Sequence, residues 1–223
     1  MSSLGHQRCL PQWRRQGGLF VLCLLIILSL PPTSALAWEG WEVFREAARK
    51  ITGLEARFTQ QKTLAILDKP LVSTGRFYYQ SPRSLRWEYE HPVPSVLLMR
   101  EGTIKRYLKE NGEWREDTSS SLHAMQTVLE EIAQWQQGRF ETNPHFLPEF
   151  LEKPEPKVIL LPREESWKKM IQRIELIPDL REEATGAIRS VRMVEDNRSF
   201  TLLEFTQIRL DSKFPPNIFE KAQ

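Results

Sequence analysis

The spacing of apolar residues predicts two helices. In the first, apolar residues recur every three or four positions, at Trp41, Phe44, Ala48 and Ile51. The second has the same periodicity at Leu122, Met125, Leu129, Ile132 and Trp135, and Gly138 can end it. Each helix therefore has one apolar face that must be buried against another part of the chain.

Alternation of apolar and polar residues predicts strands elsewhere. The clearest case is Leu85 to Tyr89, where Leu85, Trp87 and Tyr89 alternate with charged residues. Further strands are predicted at 54–67, 71–80, 96–99, 103–108, 157–161, 170–177, 188–195 and 199–210, and the proline-rich segment 144–156 reads as an irregular loop. Hairpin succession without βαβ alternation predicts a mainly β, α+β fold, with one large antiparallel sheet curled around the helices.

The first 37 residues have the pattern of a secretory signal. Three arginines precede an uncharged apolar run from Leu19 to Leu30, and the small-residue triplet Ala35-Leu36-Ala37 follows. This run is shorter than the roughly 20 residues needed to span a bilayer. We therefore expect a cleaved signal at 1–37 and a single exported domain at 38–223.

Charge and cysteine content narrow the possible functions. The chain has 31 basic and 29 acidic side chains; residues 1–37 hold three of the basic ones, which leaves 28 against 29. A nearly neutral domain lacks the basic excess of a nucleic-acid-binding protein. Both cysteines, Cys9 and Cys23, precede residue 38, so the expected mature domain has no thiol for a disulfide, for catalysis or for a metal.

Motifs for catalysis or cofactor binding are not found in the sequence. It has no phosphate-binding glycine loop, no glycine-flanked serine elbow and no paired-histidine zinc motif. His91, His123 and His145 have no second ligand at metal-binding spacing, and adjacent acids such as Glu130-Glu131 point apart on a helix or strand. We therefore predict no catalytic residue, no metal and no cofactor.

The remaining candidate residues are apolar. They share one face of three strands and of the second helix: Phe58, Phe77, Tyr79, Leu85, Trp87, Tyr89, Met125, Leu129 and Trp135. Such a row can line a binding cavity, but an ordinary core is the simpler explanation from the pattern alone. Arg86 lies on the opposite face and is expected to be exposed, so that its replacement should do little.

Several short motifs, in order along the chain, resemble the LolA family of periplasmic lipoprotein carriers. The segment from Gly75 to Tyr89 contains a glycine-bearing strand, a turn at Ser81-Pro82-Arg83 and a Leu-x-Trp strand. His91-Pro92 and Glu101-Gly102 follow it. Phe58-Thr59-Gln60 lies upstream, and a strand from Phe205 to Asp211 leads to a tail with Pro215 and Phe219. Each motif alone is weak evidence for the family, but their combination, in this order, is fairly specific to it.

The resemblance implies an incomplete, half-open barrel with helices forming a lid over an apolar cavity. The apolar row would then bind lipid, and residues 122–151 would form a mobile cover. A LolA-like protein is a non-enzymatic periplasmic carrier. It receives lipoprotein acyl chains from an inner-membrane ABC-type releasing complex and delivers them to an outer-membrane lipoprotein acceptor, as a monomer that binds no nucleic acid.

Two departures from the family pattern keep other functions open. The family arginine before the turn proline, which helps to latch the lid, is Ser81 here, followed by Pro82 and Arg83. The strand after Glu101 is basic, with Lys105 and Arg106, where the family has aromatic residues. Alternatives are a LolA-like paralogue for another envelope lipid or glycolipid, an envelope hydrolase or transferase with an unrecognised site, and a binding module for an envelope protein.

Overall fold

The computed structural model describes residues 39–118 and 122–222. The expected signal at 1–37 lies outside these residues, so the signal and the domain boundary stay predictions. The helices are α1 (Glu39–Lys50), α2 (Leu122–Trp135) and the short α3 (Glu165–Lys168). As predicted, Trp41, Phe44 and Ala48 of α1 are buried, and the chain leaves α2 near Gly138, which has a positive φ of 64°.

Eleven strands account for nearly half of the described chain. Six precede α2: β1 (Gly53–Thr63), β2 (Leu71–Gln80), β3 (Ser84–His91), β4 (Ser95–Arg100), β5 (Thr103–Glu110) and β6 (Glu113–Asp117). Five follow it: β7 (Phe146–Leu151), β8 (Lys157–Pro162), β9 (Arg173–Pro178), β10 (Ile188–Val194) and β11 (Phe200–Leu210). Tight turns such as Asn111-Gly112 join the hairpins, with both residues at positive φ.

All strands belong to one antiparallel sheet. Its order is β6-β5-β4-β3-β2-β1-β11-β10-β9-β8-β7, so β6 and β7 form the two edges. Two meanders, β1 to β6 and β7 to β11, are joined where β1 pairs with β11. The pair is long, from Leu54 opposite Leu210 to Thr63 opposite Phe200, which makes it the centre of the fold.

The sheet curls around α1 and α2. Phe44 of α1 and Leu129 of α2 belong to one buried cluster with Phe77 of β2. The same cluster includes Leu97, near one edge of the sheet, and Phe146, at the other. Strands so far apart in the order can share one core only if the sheet is strongly curved. The mainly β fold, an open barrel with helices on its inner face, is therefore confirmed.

The proline-rich segment differs from the expected loop. Residues 146–151 form the edge strand β7, in which Pro148 lies opposite Leu160 of β8. An edge strand tolerates proline because one of its sides has no neighbour that needs a backbone donor. A helical cover over the inner face can therefore include α2 and the residues that follow it, but not β7.

The prediction that Arg86 is exposed is wrong. Arg86 is only 4% exposed, because the C-terminal tail folds back over the outer face of β3 and β4. The guanidinium donates to the backbone carbonyls of Ile218, Lys221 and Ala222, and to the Glu88 carboxylate. Ala222 also packs against Val96 and Leu98 of β4.

Candidate functional site

A largely apolar cavity of about 340 Å³ lies between α2 and the inner face of the sheet. The helix contributes Val128, Leu129, Ile132 and Trp135 to its wall. These residues recur at the spacing of one helical face, which explains why α2 can present four apolar side chains together. The volume of the cavity is at the lower end of the range of about 300–1,000 Å³ found for ligand pockets.

The sheet supplies most of the rest of the wall. Trp87, Tyr89 and Leu97 come from β3 and β4. Val191, Met193, Leu203 and Phe205 come from β10 and β11. In β3, β10 and β11 the lining residues alternate along the chain, because successive side chains of a strand point to opposite faces.

The structure brings four of the candidate lipid-binding residues to this wall: Trp87, Tyr89, Leu129 and Trp135. Trp87 is 6% exposed and packs against the rings of Phe58 and Phe77 at centroid distances of 5.0 and 5.2 Å. The side chain of Met125 lies outside the part of the molecule that the structure describes. The lipid-binding role of all these residues stays a prediction.

The other four candidates lie in the core and not on the cavity wall. Phe58, Phe77, Tyr79 and Leu85 are each no more than 2% exposed. Tyr79 lies opposite Leu85, and Phe77 lies opposite Trp87, so the pair Tyr79 and Leu85 is two positions farther from Tyr89 along the strands. Distance from Tyr89 thus separates Tyr79 and Leu85 from the wall, whereas Phe58 and Phe77 pack behind it, against the ring of Trp87.

A glycine makes room behind the wall. Gly75 lies opposite both Phe58 and Tyr89 in the sheet, and the Phe58 ring contacts Tyr89 at a centroid distance of 5.2 Å. A Cβ atom at position 75 would lie 1.9 Å from the Glu88 carbonyl oxygen and 2.8 Å from Cζ of Phe58. The absence of a side chain therefore lets Phe58 reach Tyr89.

Polar side chains also form part of the cavity wall. The Tyr89 hydroxyl donates to Oε1 of Gln60 at 2.9 Å, and burial raises the pKa of this hydroxyl. Arg106 of β5 also lines the cavity and donates from Nη1 to the Asp117 carboxylate at 3.3 Å. The cavity can therefore contact a polar group near Tyr89 and Arg106 while its apolar wall contacts hydrocarbon.

The turn proposed as the lid latch is held by a different residue, Gln137, which lies just after the end of α2. The Pro82 carbonyl accepts from Nε2 of Gln137 at 2.8 Å, and the same nitrogen donates to the Ala133 carbonyl. Ser81 donates its backbone N–H to the Thr52 carbonyl, and Arg83 is exposed. Gln137 thus joins the helix to the turn at which the family has an arginine, and whether this contact is a latch stays a prediction.

A buried carboxyl group connects α2 to the segment that leads into β7. Glu131 is 3% exposed and accepts from Nδ2 of Asn143. Oδ1 of Asn143 accepts the backbone N–H groups of His145 and Phe146 at 2.8 and 2.9 Å. Burial raises the pKa of Glu131 above its ordinary value of 4.5, while the Asn143 N–H and the charge of His145 partly oppose the rise.

We expect Glu131→Gln to stabilise the protein at pH 7. The folded state holds the Glu131 proton more tightly than the unfolded chain does, so stability falls as pH rises from 4.5 through the raised pKa. Glutamine keeps the acceptor for Asn143 but cannot ionise. The variant should therefore have a higher melting temperature than the parent protein at pH 7, and the two should converge near pH 4.

Thermal unfolding followed by circular dichroism between pH 4 and pH 8 measures this difference. Glu130→Gln is the matched control, because Glu130 is the adjacent residue on α2, is only half-buried and accepts from Gln126. The control should show no such pH-dependent gain. A Glu131→Gln variant that is less stable at pH 7 than the parent would contradict the expected direction.

Two further properties concern only the part of the chain that the structure describes. Within residues 39–118 and 122–222, no helix combines the length and apolar character needed to cross a membrane. In the same residues, no group of three or more histidine, cysteine, aspartate or glutamate side chains is placed to hold a metal ion.

The candidate residues chosen from the sequence omit much of the wall. Val191, Met193, Leu203 and Phe205 alternate within strands that the sequence predicts correctly, and this alternation could have identified them. Arg106 had no such signal, because a basic residue in a strand normally faces solvent. Only the register, with Arg106 opposite the buried Leu97, places it on the inner face.

Comparison with known proteins supports the same fold. The model of the family described as outer membrane lipoprotein carrier protein LolA matches residues 49–144. The chain is similar to the structure of a DUF1329 family protein from Desulfovibrio piger, with 12% identity, a TM-score of 0.50, and coverage of 82% of this chain and 97% of that chain. At this identity, the structural likeness concerns the fold alone.

Two other solved structures are more distant. A LolA superfamily protein from Nitrosomonas europaea has 10% identity, a TM-score of 0.45, and coverage of 82% of this chain and 96% of that chain. LprF from Mycobacterium bovis has 10% identity, a TM-score of 0.40, and coverage of 79% and 94%, respectively. No curated protein matches the sequence.

Proposed function

This chain is LolA-like, and we propose that it is a non-enzymatic carrier that binds an acyl chain of a membrane lipid or lipoprotein in the cavity under α2. The observation on which the proposal rests is the cavity itself. Its wall is mostly hydrocarbon and aromatic, and both helix and sheet contribute to it. A cavity of this composition favours alkyl chains, since each buried methylene contributes about 0.8 kcal/mol.

The same energetics explain why such a chain needs a carrier. An acyl chain of a dozen methylenes exposes about 10 kcal/mol of unfavourable apolar surface to water, so unassisted diffusion between two membranes is negligible. A protein that covers the chain removes most of this penalty. A cavity bounded on one side by a single helix can also open for release, because moving α2 leaves the sheet intact.

The family matched by residues 49–144 suggests where this carrier works. LolA proteins are periplasmic and are binding or carrier proteins. We infer that this chain is exported to the periplasm, receives its cargo from an inner-membrane ABC-type releasing complex and delivers it toward an outer-membrane acceptor. Acyl chains of lipoproteins are the cargo that the family suggests.

The volume of the cavity limits how much cargo enters without movement. A methylene group is similar in size to a water molecule, whose share of liquid volume is about 30 Å³. The cavity of about 340 Å³ therefore matches roughly ten methylenes, which is one chain. A lipoprotein anchor with two or three chains requires α2 to move away from the sheet.

Partly filling the cavity should weaken acyl binding without unfolding the protein. Val128 lies on α2, is half-buried and lines the cavity, so the indole of Val128→Trp can enter empty space. Displacing only two methylenes, at about 0.8 kcal/mol each, lowers affinity by more than tenfold. Titration of the protein with a fluorescent dodecyl probe, beside thermal unfolding, measures both effects.

The matched control is Val43→Trp. Val43 lies on α1 and is 59% exposed, so the same added side chain remains in solvent and should leave probe affinity unchanged. If Val128→Trp binds the probe as tightly as the control while both are folded, the cavity is not the acyl site. A parent protein that hydrolyses or transfers an envelope lipid in the same assay would instead support the enzyme alternative.

A further inference from the structure

The cavity contains a single cation in an otherwise uncharged wall. Among the described residues that line it, Arg106 is the one charged side chain. The guanidinium is partly dehydrated, since the Arg106 side chain is 30% exposed. An arginine in such a position is costly unless its N–H groups have partners, so its placement toward hydrocarbon indicates a polar ligand group.

Polar groups of the neighbouring strands lie near this cation. Tyr89 of β3 lies opposite Ser95 of β4, which also lines the cavity, and Ser95 is two positions from Leu97, which lies opposite Arg106 of β5. Burial raises the pKa of the Tyr89 hydroxyl and the charge of Arg106 partly opposes this rise, so the two groups are close to one another. The apolar residues Leu129, Trp135 and Phe205 line other parts of the wall, so the cavity has a polar region and a hydrocarbon region.

Arg106 supplies the strongest hydrogen-bond donors of the cavity wall. It has five N–H groups, and its ion pair with Asp117 is a long contact of 3.3 Å from Nη1 to a residue that is not part of the wall. Most of its N–H groups therefore remain available for a ligand. Several donors on one cation match an anionic group.

We propose that the cavity binds a single-chain amphiphile with an anionic head group, a carboxylate or a phosphate monoester. Arg106 binds the head, and the alkyl chain extends along Leu129 and Trp135. This inference rests on the proposed acyl-carrier function and deepens it by naming the class of cargo. The room for one chain of roughly ten methylenes agrees with a single-chain ligand.

Matched ligands test the inference without any substitution. Dodecanoate, dodecyl phosphate and dodecanol have the same chain and differ in the head, and each is titrated into the protein below its critical micelle concentration. The two anions should bind at least about tenfold more tightly than dodecanol, as expected for charge-assisted hydrogen bonds to a partly buried guanidinium. Acetate and inorganic phosphate, which have no chain, should not compete.

Arg106→Gln should remove the difference in affinity between ligands with an anionic head group and the ligand with a neutral one. The variant should lose about tenfold in affinity for dodecanoate and keep its affinity for dodecanol. Lys105→Gln is the matched control. It removes the same charge from the residue directly before Arg106 in β5, and the Lys105 side chain is 48% exposed. The control should retain the preference for anions.

The outcomes separate the two proposals. Equal affinity of the parent protein for dodecanoate and dodecanol would overturn the anionic head group and leave the acyl carrier standing. Competition by acetate or phosphate alone would show a site for free anions and would also overturn it. Failure to bind any dodecyl ligand would overturn both proposals. If Arg106→Gln does not fold, the relative affinities of the parent protein for the three dodecyl ligands still decide whether the cavity prefers an anionic head group.

Discussion

Leu85→Glu should leave the domain largely unfolded at 25 °C. Leu85 is fully buried in the shared core, pairs with Tyr79 across β2 and β3, and lies away from the cavity wall. A carboxylate there is buried away from water, and the leucine packing is lost as well. Each effect costs several kcal/mol, which together approach the whole stability of an ordinary domain, about 5–15 kcal/mol.

Urea unfolding followed by circular dichroism measures this loss of stability, and two further variants serve as controls. Leu85→Met keeps the volume and should cost less than about 1.5 kcal/mol. Val128→Glu introduces the same charge on the cavity wall, where the side chain is half-buried and can be hydrated through the cavity, so this variant should fold. A folded Leu85→Glu variant with parental stability would show that position 85 does not belong to the core.

The inner face of the sheet could be predicted from the sequence, but the cavity could not. Alternation at Leu85, Trp87 and Tyr89 fixes which side chains point inward, and the structure agrees for all three. Whether an inward residue lies in the core or on the cavity wall depends on its position along the strand relative to α2. That position is set by sheet curvature and helix placement, which involve contacts between residues far apart in the chain.

Two elements show where local patterns fail. Pro148 within residues 146–151 is unfavourable for a strand, yet the segment pairs with β8 because it lies at an edge. Arg86 has the alternation of an exposed residue, and the sheet alone would leave it in solvent. The tail at 216–222 covers it, over more than 130 positions of sequence separation. Period-two alternation identifies the two faces of a sheet and not what covers each face.

Arg86→Met should therefore destabilise the protein strongly, against the expectation from the sequence. Its guanidinium makes three hydrogen bonds to tail carbonyls, at 2.6–3.2 Å, and an ion pair with Glu88 at 2.9 Å. Removal leaves those carbonyls and the Glu88 carboxylate without this partner. Breaking a buried pair costs about 3–5 kcal/mol. In a domain of this size that lowers the melting temperature by about 10 °C.

The comparison with Arg57→Met separates this effect from the loss of an arginine in general. Arg57 also lies on a strand and pairs with a glutamate, but its side chain is 48% exposed and Nη1 is 3.4 Å from Glu90. An exposed pair contributes about 0–1 kcal/mol, so the control should melt within a few degrees of the parent protein. Differential scanning calorimetry of the three proteins measures the contrast. Equal melting temperatures for the two variants would show that the tail is not fastened to the sheet through Arg86.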